Sequence, residues 1–245
     1  MRMTRDPRGG SKTLAAVRTT TAEPRVDLTP APPVVGKARG LRRLWWKRPL
    51  DLALGILLTC ACLPLICVLG LLVRLDSPGP AFFRQERVGH HGSRFRMWKL
   101  RTMFTGAADD WHRHAAAVWF AGTPSNDRYK TLGDPRITRV GHWMRRLDLD
   151  ELPQLFNVLF GEMSLVGPRP AIPYELDLYE PAYLERLQVP PGITGLWQVT
   201  RRERLSASEM MALDLKYVRE TSLWMDVKTL VLTAPALLSA AVGRR

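Results

Sequence analysis

A long apolar stretch dominates the pattern of hydrophobic and polar positions. Residues 52–73 are 22 consecutive positions without a charge. As an α-helix they span about 33 Å, close to the hydrocarbon thickness of a bilayer. Pro64 lies in the middle of the stretch and removes one helical hydrogen bond. The pattern therefore predicts a membrane helix with a bend near Leu63 and Pro64.

Basic residues flank this stretch on both sides. They are Lys37, Arg39, Arg42, Arg43, Lys47 and Arg48 before it, and Arg74, Arg84, Arg87, Arg94, Arg96, Lys99 and Arg101 after it. A single crossing would leave one basic flank outside, against the positive-inside tendency. We therefore predict a re-entrant helix hairpin over residues 41–76, with a span as the alternative. A signal peptide fits poorly, because the stretch begins far from Met1 and no small-residue cleavage site follows it.

Shorter elements follow the apolar stretch. Residues 81–85 and 95–99 alternate between apolar and polar positions and predict a β-hairpin. Residues 108–120 and 141–160 carry apolar positions at helical spacing and predict two amphipathic helices. The expected fold class is α+β, a membrane-embedded re-entrant hairpin with a small cytoplasmic domain of amphipathic helices and a short β-hairpin. The domain, residues 77–230, precedes a C-terminal apolar interfacial helix at 231–245.

Positive charge is concentrated at the N-terminus. The 245 residues carry a formal net charge of +13, and residues 1–48, with 12 basic and 3 acidic positions, supply 9 of these charges. Residues 1–40 lack apolar periodicity and are predicted to form a disordered basic arm. Anionic partners are therefore expected. The apolar stretch that follows favours lipid headgroups, and we expect no nucleic-acid partner.

Three carboxylates and two guanidiniums occur together at Asp148, Asp150, Glu151, Arg145 and Arg146. An adjacent acidic pair alone predicts no catalysis, since side chains at i and i+1 on a helix do not face each other. Two segments rich in Gly and Pro, 161–170 and 190–199, could bring backbone N–H groups to phosphate oxygens, or could be structural loops.

Two histidine pairs could suggest zinc, His90 with His91 and His112 with His114. No cysteine or carboxylate completes a four-ligand spacing around them, so we do not predict a zinc site.

Several ordered motifs together carry a family resemblance. They are Lys-Arg-Pro-Leu-Asp at 47–51, Phe-Arg-Gln-Glu-Arg-Val-Gly at 83–89, Lys-Leu-Arg-Thr-Met at 99–103, Gly-Asp-Pro-Arg-Ile-Thr at 133–138, Leu-Asp-Glu-Leu-Pro-Gln-Leu-Phe-Asn-Val at 149–158, Met-Ser-Leu-Val-Gly-Pro-Arg-Pro at 163–170 and Pro-Gly-Ile-Thr-Gly at 191–195. With these motifs, about residues 45–230 resemble the bacterial sugar transferases, which are monotopic phosphoglycosyl transferases.

The resemblance implies transfer of a sugar 1-phosphate from a UDP-sugar to undecaprenyl phosphate, with release of UMP. This reaction initiates synthesis of exopolysaccharides or other glycoconjugates. The resemblance further implies that Asp150 is the nucleophile of a covalent aspartyl-phosphosugar intermediate, that Glu151 assists it, and that Mg²⁺ is the cofactor with Asp150 as its ligand. It also implies the bacterial inner membrane as location, with the domain on the cytoplasmic face against membrane lipids, and leaves a homodimer open.

Further site residues come from the same resemblance. Arg145, Arg169 and Arg202 align with phosphate-contacting positions, and Lys99 and Arg101 are added as substrate-binding candidates.

Two other functions compete with this expectation. A catalytically inactive membrane scaffold of a polysaccharide assembly complex could keep the same fold, but the intact pair of Asp150 and Glu151 speaks against it. A glycosidase needs two acids about 5–9 Å apart across a sugar, which adjacent acids and a membrane anchor fit poorly.

Overall fold

A computed structural model of the protein describes residues 44–106, 110–121, 134–200 and 205–242. Its α-helices are α1 (Lys47–Asp76), α2 (Asp110–Phe120), α3 (Arg139–Arg146), α4 (Gln154–Phe160), α5 (Leu196–Thr200), α6 (Ala207–Glu220) and α7 (Leu223–Val242). Its strands are β1 (Phe82–Val88), β2 (Arg94–Leu100), β3 (Ser164–Val166) and β4 (Gly192–Thr194). Short 3-10 helices cover His90–Gly92, Leu149–Glu151, Pro173–Leu178 and Pro181–Gln188. The predicted basic arm, residues 1–40, lies outside the described residues.

Helix α1 contains the long apolar stretch. It continues as one helix through Pro64, so the predicted bend does not interrupt it. Within the described residues it is the one helix long and apolar enough to cross a membrane, by length and composition alone. Its exposed large apolar side chains are Ile56, Leu57, Leu58, Leu63, Leu65, Val68, Leu71, Leu72 and Leu75. Exposure of this extent on one helix indicates contact with lipid or with another apolar partner.

A buried lysine fixes the start of α1. Lys47 Nζ donates hydrogen bonds to Val166 O at 2.7 Å, to the Tyr217 hydroxyl at 2.9 Å and to Asp226 Oδ2 at 3.0 Å. The Tyr217 hydroxyl in turn donates to Asp226 Oδ1 at 2.6 Å. A buried charge is tolerated when it is paired and hydrogen-bonded in this way. The beginning of α1 is thereby joined to β3, α6 and α7.

Two carboxylates attach α1 to the rest of the fold, one near each end. Asp51 accepts hydrogen bonds from Ser164 Oγ at 2.9 Å and Leu165 N at 2.8 Å. Asp76 accepts one from Val140 N at 2.9 Å, in the first turn of α3. Both ends of α1 therefore contact the part of the chain that follows it.

The predicted β-hairpin is confirmed. β1 and β2 pair antiparallel, from Phe82 opposite Leu100 to Val88 opposite Arg94. Asn157 of α4 covers the free edge of β2, because its Oδ1 accepts from Trp98 N at 2.9 Å and its Nδ2 donates to the carbonyl of residue 96 at 2.9 Å. α4 is thereby fixed along the hairpin.

The two segments rich in Gly and Pro meet each other. β3 and β4 pair in parallel, with Ser164 opposite Gly192 and Val166 opposite Thr194. A Cβ on Gly192 would lie 2.0 Å from Gly167 N, so only glycine permits this approach. The sequence did not predict this strand pairing.

Helix α7 begins earlier than the predicted C-terminal helix, at Leu223 rather than residue 231. Its first turn carries Asp226, which pairs with Lys47. Further along, Val231, Leu232, Leu237 and Leu238 are exposed. α7 thus has a buried ion pair near its start and an apolar surface further along.

Candidate active site

The two candidate catalytic acids lie in a 3-10 turn between two helices. α3 ends before the turn, Leu149–Glu151, and α4 begins after it. The single helix predicted over residues 141–160 is therefore wrong. Asp148 interrupts it with a left-handed backbone (φ 54°), and Pro153 has no N–H for a helical hydrogen bond.

Asp150 is the more buried acid of the pair, with 4% of its surface exposed. Its Oδ1 is buried without a hydrogen-bond partner. Leaving a buried charged acceptor unsatisfied costs about 1–3 kcal/mol or more. This oxygen is therefore suited to bind a cation or to attack an electrophile.

Glu151 forms an ion pair with Lys99 of β2. The Lys99 Nζ lies 3.1 Å from Glu151 Oε1, and the two side chains are 18% and 19% exposed. Partly exposed pairs of this kind contribute little to stability. The pair's main consequence is that a cation is held next to the acidic turn.

Arg145 lies in the last turn of α3 and supplies a second cation. Burial lowers the pKa of Arg145, whereas the charges of Asp150 and Asp134 act to raise it. An arginine stays protonated despite such a shift, because its ordinary pKa is above 12. Its interactions join the acidic turn to the segment that begins at Asp134.

Arg136 belongs to this site although the sequence did not single it out. Its Nη2 donates to Asp134 Oδ2 at 2.6 Å and its Nε to Asp134 Oδ1 at 2.9 Å. These hydrogen bonds lower the pKa of Asp134. Arg136 also acts on the pKa of Arg145 as a repelling charge. Its signal in the sequence is the motif at 133–138, which by itself indicates no role for Arg136.

Close backbone packing fixes the position of α3, the helix that carries Arg145. Thr138 caps α3, since its Oγ1 accepts from Gly141 N at 3.0 Å, and its own N–H donates to Thr102 O at 3.0 Å. A Cβ on Gly141 would lie 2.2 Å from Thr102 O. The first turn of α3 therefore rests directly on the backbone that follows β2.

Arg101, another of the predicted substrate-binding residues, forms hydrogen bonds within the fold. Its Nη1 donates to Pro78 O at 2.6 Å and its Nη2 to Ser77 O at 2.8 Å. The side chain is buried. Arg101 thus secures the turn that follows α1.

Arg169 lies in a second charged cluster. Its Nη1 is 3.3 Å from Glu175 Oε1, and Arg186 Nη2 donates to the Arg169 carbonyl at 2.7 Å and to Asp214 Oδ2 at 2.5 Å. The structure therefore brings Lys99 and Arg145 to the acidic pair and holds Arg169 in a buried network of its own.

The other predicted site residues are Arg202, Leu63 and Pro64. Arg202 lies outside the described residues, and Leu63 and Pro64 are exposed on α1. Among the described histidines, His112 contacts the Tyr174 hydroxyl and His90 contacts Gln188 O.

The residues present are compatible with Mg²⁺ only if substrate shares its coordination. In the described ranges, no group of three or more His, Cys, Asp or Glu side chains could hold a metal ion. Mg²⁺ commonly binds through one or two carboxylates together with substrate phosphates and water. The unpartnered Oδ1 of Asp150 is a hard oxygen ligand of the required type.

Comparison with known proteins adds an independent observation. The sequence profile of the bacterial sugar transferases matches residues 42–240. A UDP-glucose:undecaprenyl-phosphate glucose-1-phosphate transferase from Caulobacter vibrioides is 41% identical over 222 residues, covering 87% of this chain and 76% of that protein.

Two further relatives match a smaller share of their own length. An undecaprenyl-phosphate glucose phosphotransferase from Komagataeibacter xylinus is 42% identical over 198 residues, 76% of this chain and 35% of the relative. An undecaprenyl-phosphate galactose phosphotransferase from Salmonella typhimurium is 39% identical over 192 residues, 78% of this chain and 40% of the relative.

Proposed function

The chain belongs to the bacterial sugar transferase family, and on that premise we propose that it transfers a sugar 1-phosphate from a UDP-sugar to undecaprenyl phosphate and releases UMP. The observation that carries the proposal is the buried Asp150, with an unpartnered carboxylate oxygen, in a turn that has Lys99 and Arg145 beside it. The relatives' names support a UDP-hexose donor, glucose or galactose, and a role in exopolysaccharide production. Within that process we assign the reaction to the initiating step.

Asp150 acts as the nucleophile in this proposal. An oxygen of its carboxylate attacks the sugar-bearing phosphorus of the donor, and a new O–P bond forms as the bond to the bridging diphosphate oxygen breaks. UMP leaves with the electron pair of that bond. A phosphate oxygen of undecaprenyl phosphate then attacks the same phosphorus and releases Asp150 as a carboxylate. Burial of this carboxylate, with one oxygen unpartnered, supports the assignment.

The neighbouring cations hold anionic groups together. A carboxylate and a diphosphate repel each other, and fixed positive charges offset that repulsion without reorganising during the reaction. In this proposal Arg145 of α3 binds the donor phosphates, and Arg136, whose charge acts on Arg145, binds with it. Lys99 forms its ion pair with Glu151 and so adds a positive charge beside the nucleophile.

Asp150 would also hold the divalent cation. Bound there with the diphosphate, Mg²⁺ would neutralise charge on the phosphate oxygens and on departing UMP. The buried Oδ1 of Asp150, which has no hydrogen-bond partner, supports this assignment. Because the described residues offer no complete cage, we expect the ion to bind with substrate rather than before it.

The attachment of α1 supports a re-entrant membrane helix. Asp51 and Asp76, near opposite ends of α1, both bind the part of the chain that follows the helix. A helix with both ends on one body enters and leaves the bilayer on the same side. With basic flanks on that side, the positive-inside tendency favours the cytoplasmic leaflet.

Helix α3 supports a position at the membrane surface. Met144 is fully buried, whereas Arg139, Trp143 and Arg146 are exposed. Arginine and tryptophan on the outer face of an amphipathic helix suit the headgroup region of a bilayer. The phosphate of the acceptor lies at the same depth, so the reaction needs no movement of phosphate across lipid.

UMP release tests the proposal. The protein in nanodiscs is given undecaprenyl phosphate, Mg²⁺ and each of several UDP-sugars, and wild type is compared with Asp150→Asn. Asp177→Asn, at an exposed carboxylate, is the control. We expect release that depends on acceptor, metal and Asp150, together with an intact-mass increase of one phosphosugar when acceptor is omitted.

Two outcomes contradict it. If folded wild type leaves every sugar nucleotide intact, the reaction is wrong and the inactive scaffold becomes the better explanation. If Asp150→Asn retains full activity, the assignment of the nucleophile is wrong.

A further inference from the structure

Aromatic rings from the β-hairpin and α4 meet in one cluster. Phe82 of β1 lies edge-on to Trp98 of β2, with ring centroids 5.9 Å apart, and Trp98 lies edge-on to Phe156 of α4 at 6.4 Å. Phe82 is 37% exposed, and the other two residues are half-buried. Edge-to-face contacts are favourable for aromatic rings, so the three side chains form one partly exposed apolar surface, called here the aromatic surface.

A cation lies on the aromatic surface. The guanidinium carbon of Arg84 is 3.6 Å from the centroid of the Trp98 ring, and Arg84 is exposed. Among the described residues Arg84 has no carboxylate partner. A guanidinium that stacks on a ring can still donate from its edge, in the geometry that matches the oxygens of a phosphate. An apolar surface and a site for an anion are therefore combined at this position.

The aromatic surface adjoins the acidic turn. Phe82 pairs opposite Leu100 in the hairpin. Leu149 and Leu152, which lie on either side of the acidic pair, pack against the buried cluster that contains Leu100. Lys99, next to Leu100 in β2, forms its ion pair with the second acid of the turn. The strands that carry the aromatic surface therefore also contact the turn that holds the proposed nucleophile.

The aromatic surface also adjoins the membrane helix. A Cβ on Gly70 of α1 would lie 3.6 Å from Ala81 Cβ, so the residue that precedes β1 lies against α1. Leu69 and Val73 of α1 pack in the same buried cluster as Leu100. Gly70 is six residues from the end of α1, about 9 Å along the helix. The aromatic surface is therefore next to both the membrane helix and the acidic turn.

From this arrangement we infer that the aromatic surface and Arg84 bind the acceptor, undecaprenyl phosphate. The isoprene units nearest the phosphate pack on the three rings, and the phosphate binds the Arg84 guanidinium. The inference rests on the proposed function and deepens it, because it names the surface that binds the lipid acceptor. An apolar protein partner would leave the charge of Arg84 unused, and bulk lipid would not need the acidic turn beside it.

Arg84→Gln tests the contact with the phosphate. UMP release is measured in nanodiscs against the mole fraction of undecaprenyl phosphate at saturating donor, and against donor concentration at saturating acceptor. We expect the acceptor KM to rise about tenfold and the donor KM to change less than about twofold. Arg94→Gln, at an exposed arginine of the same hairpin that pairs with Glu86, is the matched control. It should leave both KM values at the wild-type level.

Phe82→Ser tests the contact with the isoprenoid chain. We expect the acceptor KM to rise about fivefold to tenfold, because one ring of the aromatic surface is lost. Phe160→Ser is the matched control, since it removes a ring that is 70% exposed from the last position of α4, outside the aromatic surface. The control should change the acceptor KM less than about twofold. Equal effects of the two variants would show contact with bulk lipid only and would overturn the inference.

Formation of the phosphosugar adduct separates acceptor binding from loss of structure. This adduct needs the donor and no acceptor, so Arg84→Gln and Phe82→Ser should form it at the wild-type rate when acceptor is omitted. Intact mass against time measures that rate. A loss of adduct formation in both variants would place their effect before acceptor binding and would overturn the inference.

The outcomes are distinct from those of the proposed function. An unchanged acceptor KM in Arg84→Gln and Phe82→Ser would overturn the acceptor surface while UMP release by wild type remained. Absence of UMP release from wild type would overturn the proposed function and this inference with it.

Discussion

Lys99 of β2 and Glu151 of the 3-10 turn are joined by an ion pair of 3.1 Å across 52 residues of sequence. The pair connects the β-hairpin to the turn that contains Asp150. Asn157 already occupies the free edge of this strand, and the strand also supplies the cation next to the candidate catalytic acids. The hairpin is consequently part of the site rather than an appendage to it.

Removal of the Lys99 charge should affect the reaction more than stability. For Lys99→Met we expect kcat/KM for UMP release to fall about tenfold to a hundredfold, because a fixed charge beside the reacting groups is lost. The free energy of unfolding should change by less than about 1 kcal/mol. Arg94→Met, which breaks the exposed pair of Arg94 with Glu86 on the same hairpin, is the control. Equal losses of activity in the two variants would contradict a specific role for Lys99.

A methyl group at residue 141 should destabilise the protein. In Gly141→Ala the added Cβ meets the carbonyl oxygen of Thr102 at 2.2 Å, and backbone on both sides must move. We expect the free energy of unfolding to fall by about 3 kcal/mol, as for other overpacked sites. Thermal unfolding followed by tryptophan fluorescence in detergent measures the change.

Gly70→Ala is the matched comparison for this prediction. Its Cβ would meet Ala81 Cβ at an ordinary 3.6 Å, and alanine is favoured over glycine inside a helix. The variant should therefore be as stable as wild type or more stable. If the two variants unfold at the same temperature, the close contact of Gly141 does not have the effect that we assign to it.

Acidification should increase the stability that the buried carboxyl group of Asp214 contributes. Burial raises the pKa of Asp214 from 3.8 to about 6, so between these values the folded protein binds more protons than the unfolded chain. Stability contributed by this group therefore rises as pH falls from about 7 to about 4, by on the order of 2–3 kcal/mol.

Comparison with Asp214→Asn isolates that contribution. The difference in unfolding free energy between wild type and Asp214→Asn should shift in favour of wild type on acidification. The same difference for Asp177→Asn, at an exposed acid, provides the baseline. A difference that is flat with pH, or one that shifts towards the variant, would show that Asp214 does not carry a raised pKa.

Labelling from the two sides of the membrane distinguishes a re-entrant helix from a span. Trp45 and Leu75 lie near opposite ends of α1 and are 75% and 74% exposed. In a chain whose native cysteines are replaced by alanine, Trp45→Cys and Leu75→Cys should both react with a membrane-impermeant maleimide in inverted vesicles. Both should be protected in intact spheroplasts. Reaction of the two positions from opposite sides would establish a crossing helix.

Periodicity predicted the elements whose apolar positions repeat over many residues. The long apolar helix, the β-hairpin and the helix near residues 110–120 were predicted from such patterns. The helix predicted over 141–160 was wrong because a left-handed backbone at Asp148 depends on one residue and leaves the apolar spacing unchanged. The β3–β4 pair was missed because each strand has three residues, too few for a pattern.

The site was predicted only as far as residue type and motif allow. Asp150, Glu151, Lys99 and Arg145 came from the family resemblance, and the structure brings them together. Arg101 belongs to the same motif as Lys99, at 99–103, but its guanidinium donates to carbonyl oxygens 23 and 24 residues earlier in the chain. Local sequence does not reveal such long-range hydrogen bonds. A basic residue in a motif therefore does not by itself identify a substrate ligand.

The pairing of Lys47 with Asp226 also sets an order of events during synthesis. The two residues are separated by 179 positions, so Lys47 leaves the ribosome long before its partner exists. Until then the lysine needs water or lipid phosphate around its charge, because an unpaired ammonium is costly to bury. The start of α1 therefore acquires its contacts in two stages, because Ser164 and Leu165, the partners of Asp51, are made well before Asp226. The buried ion pair of Lys47 completes the attachment only after α7 has been translated.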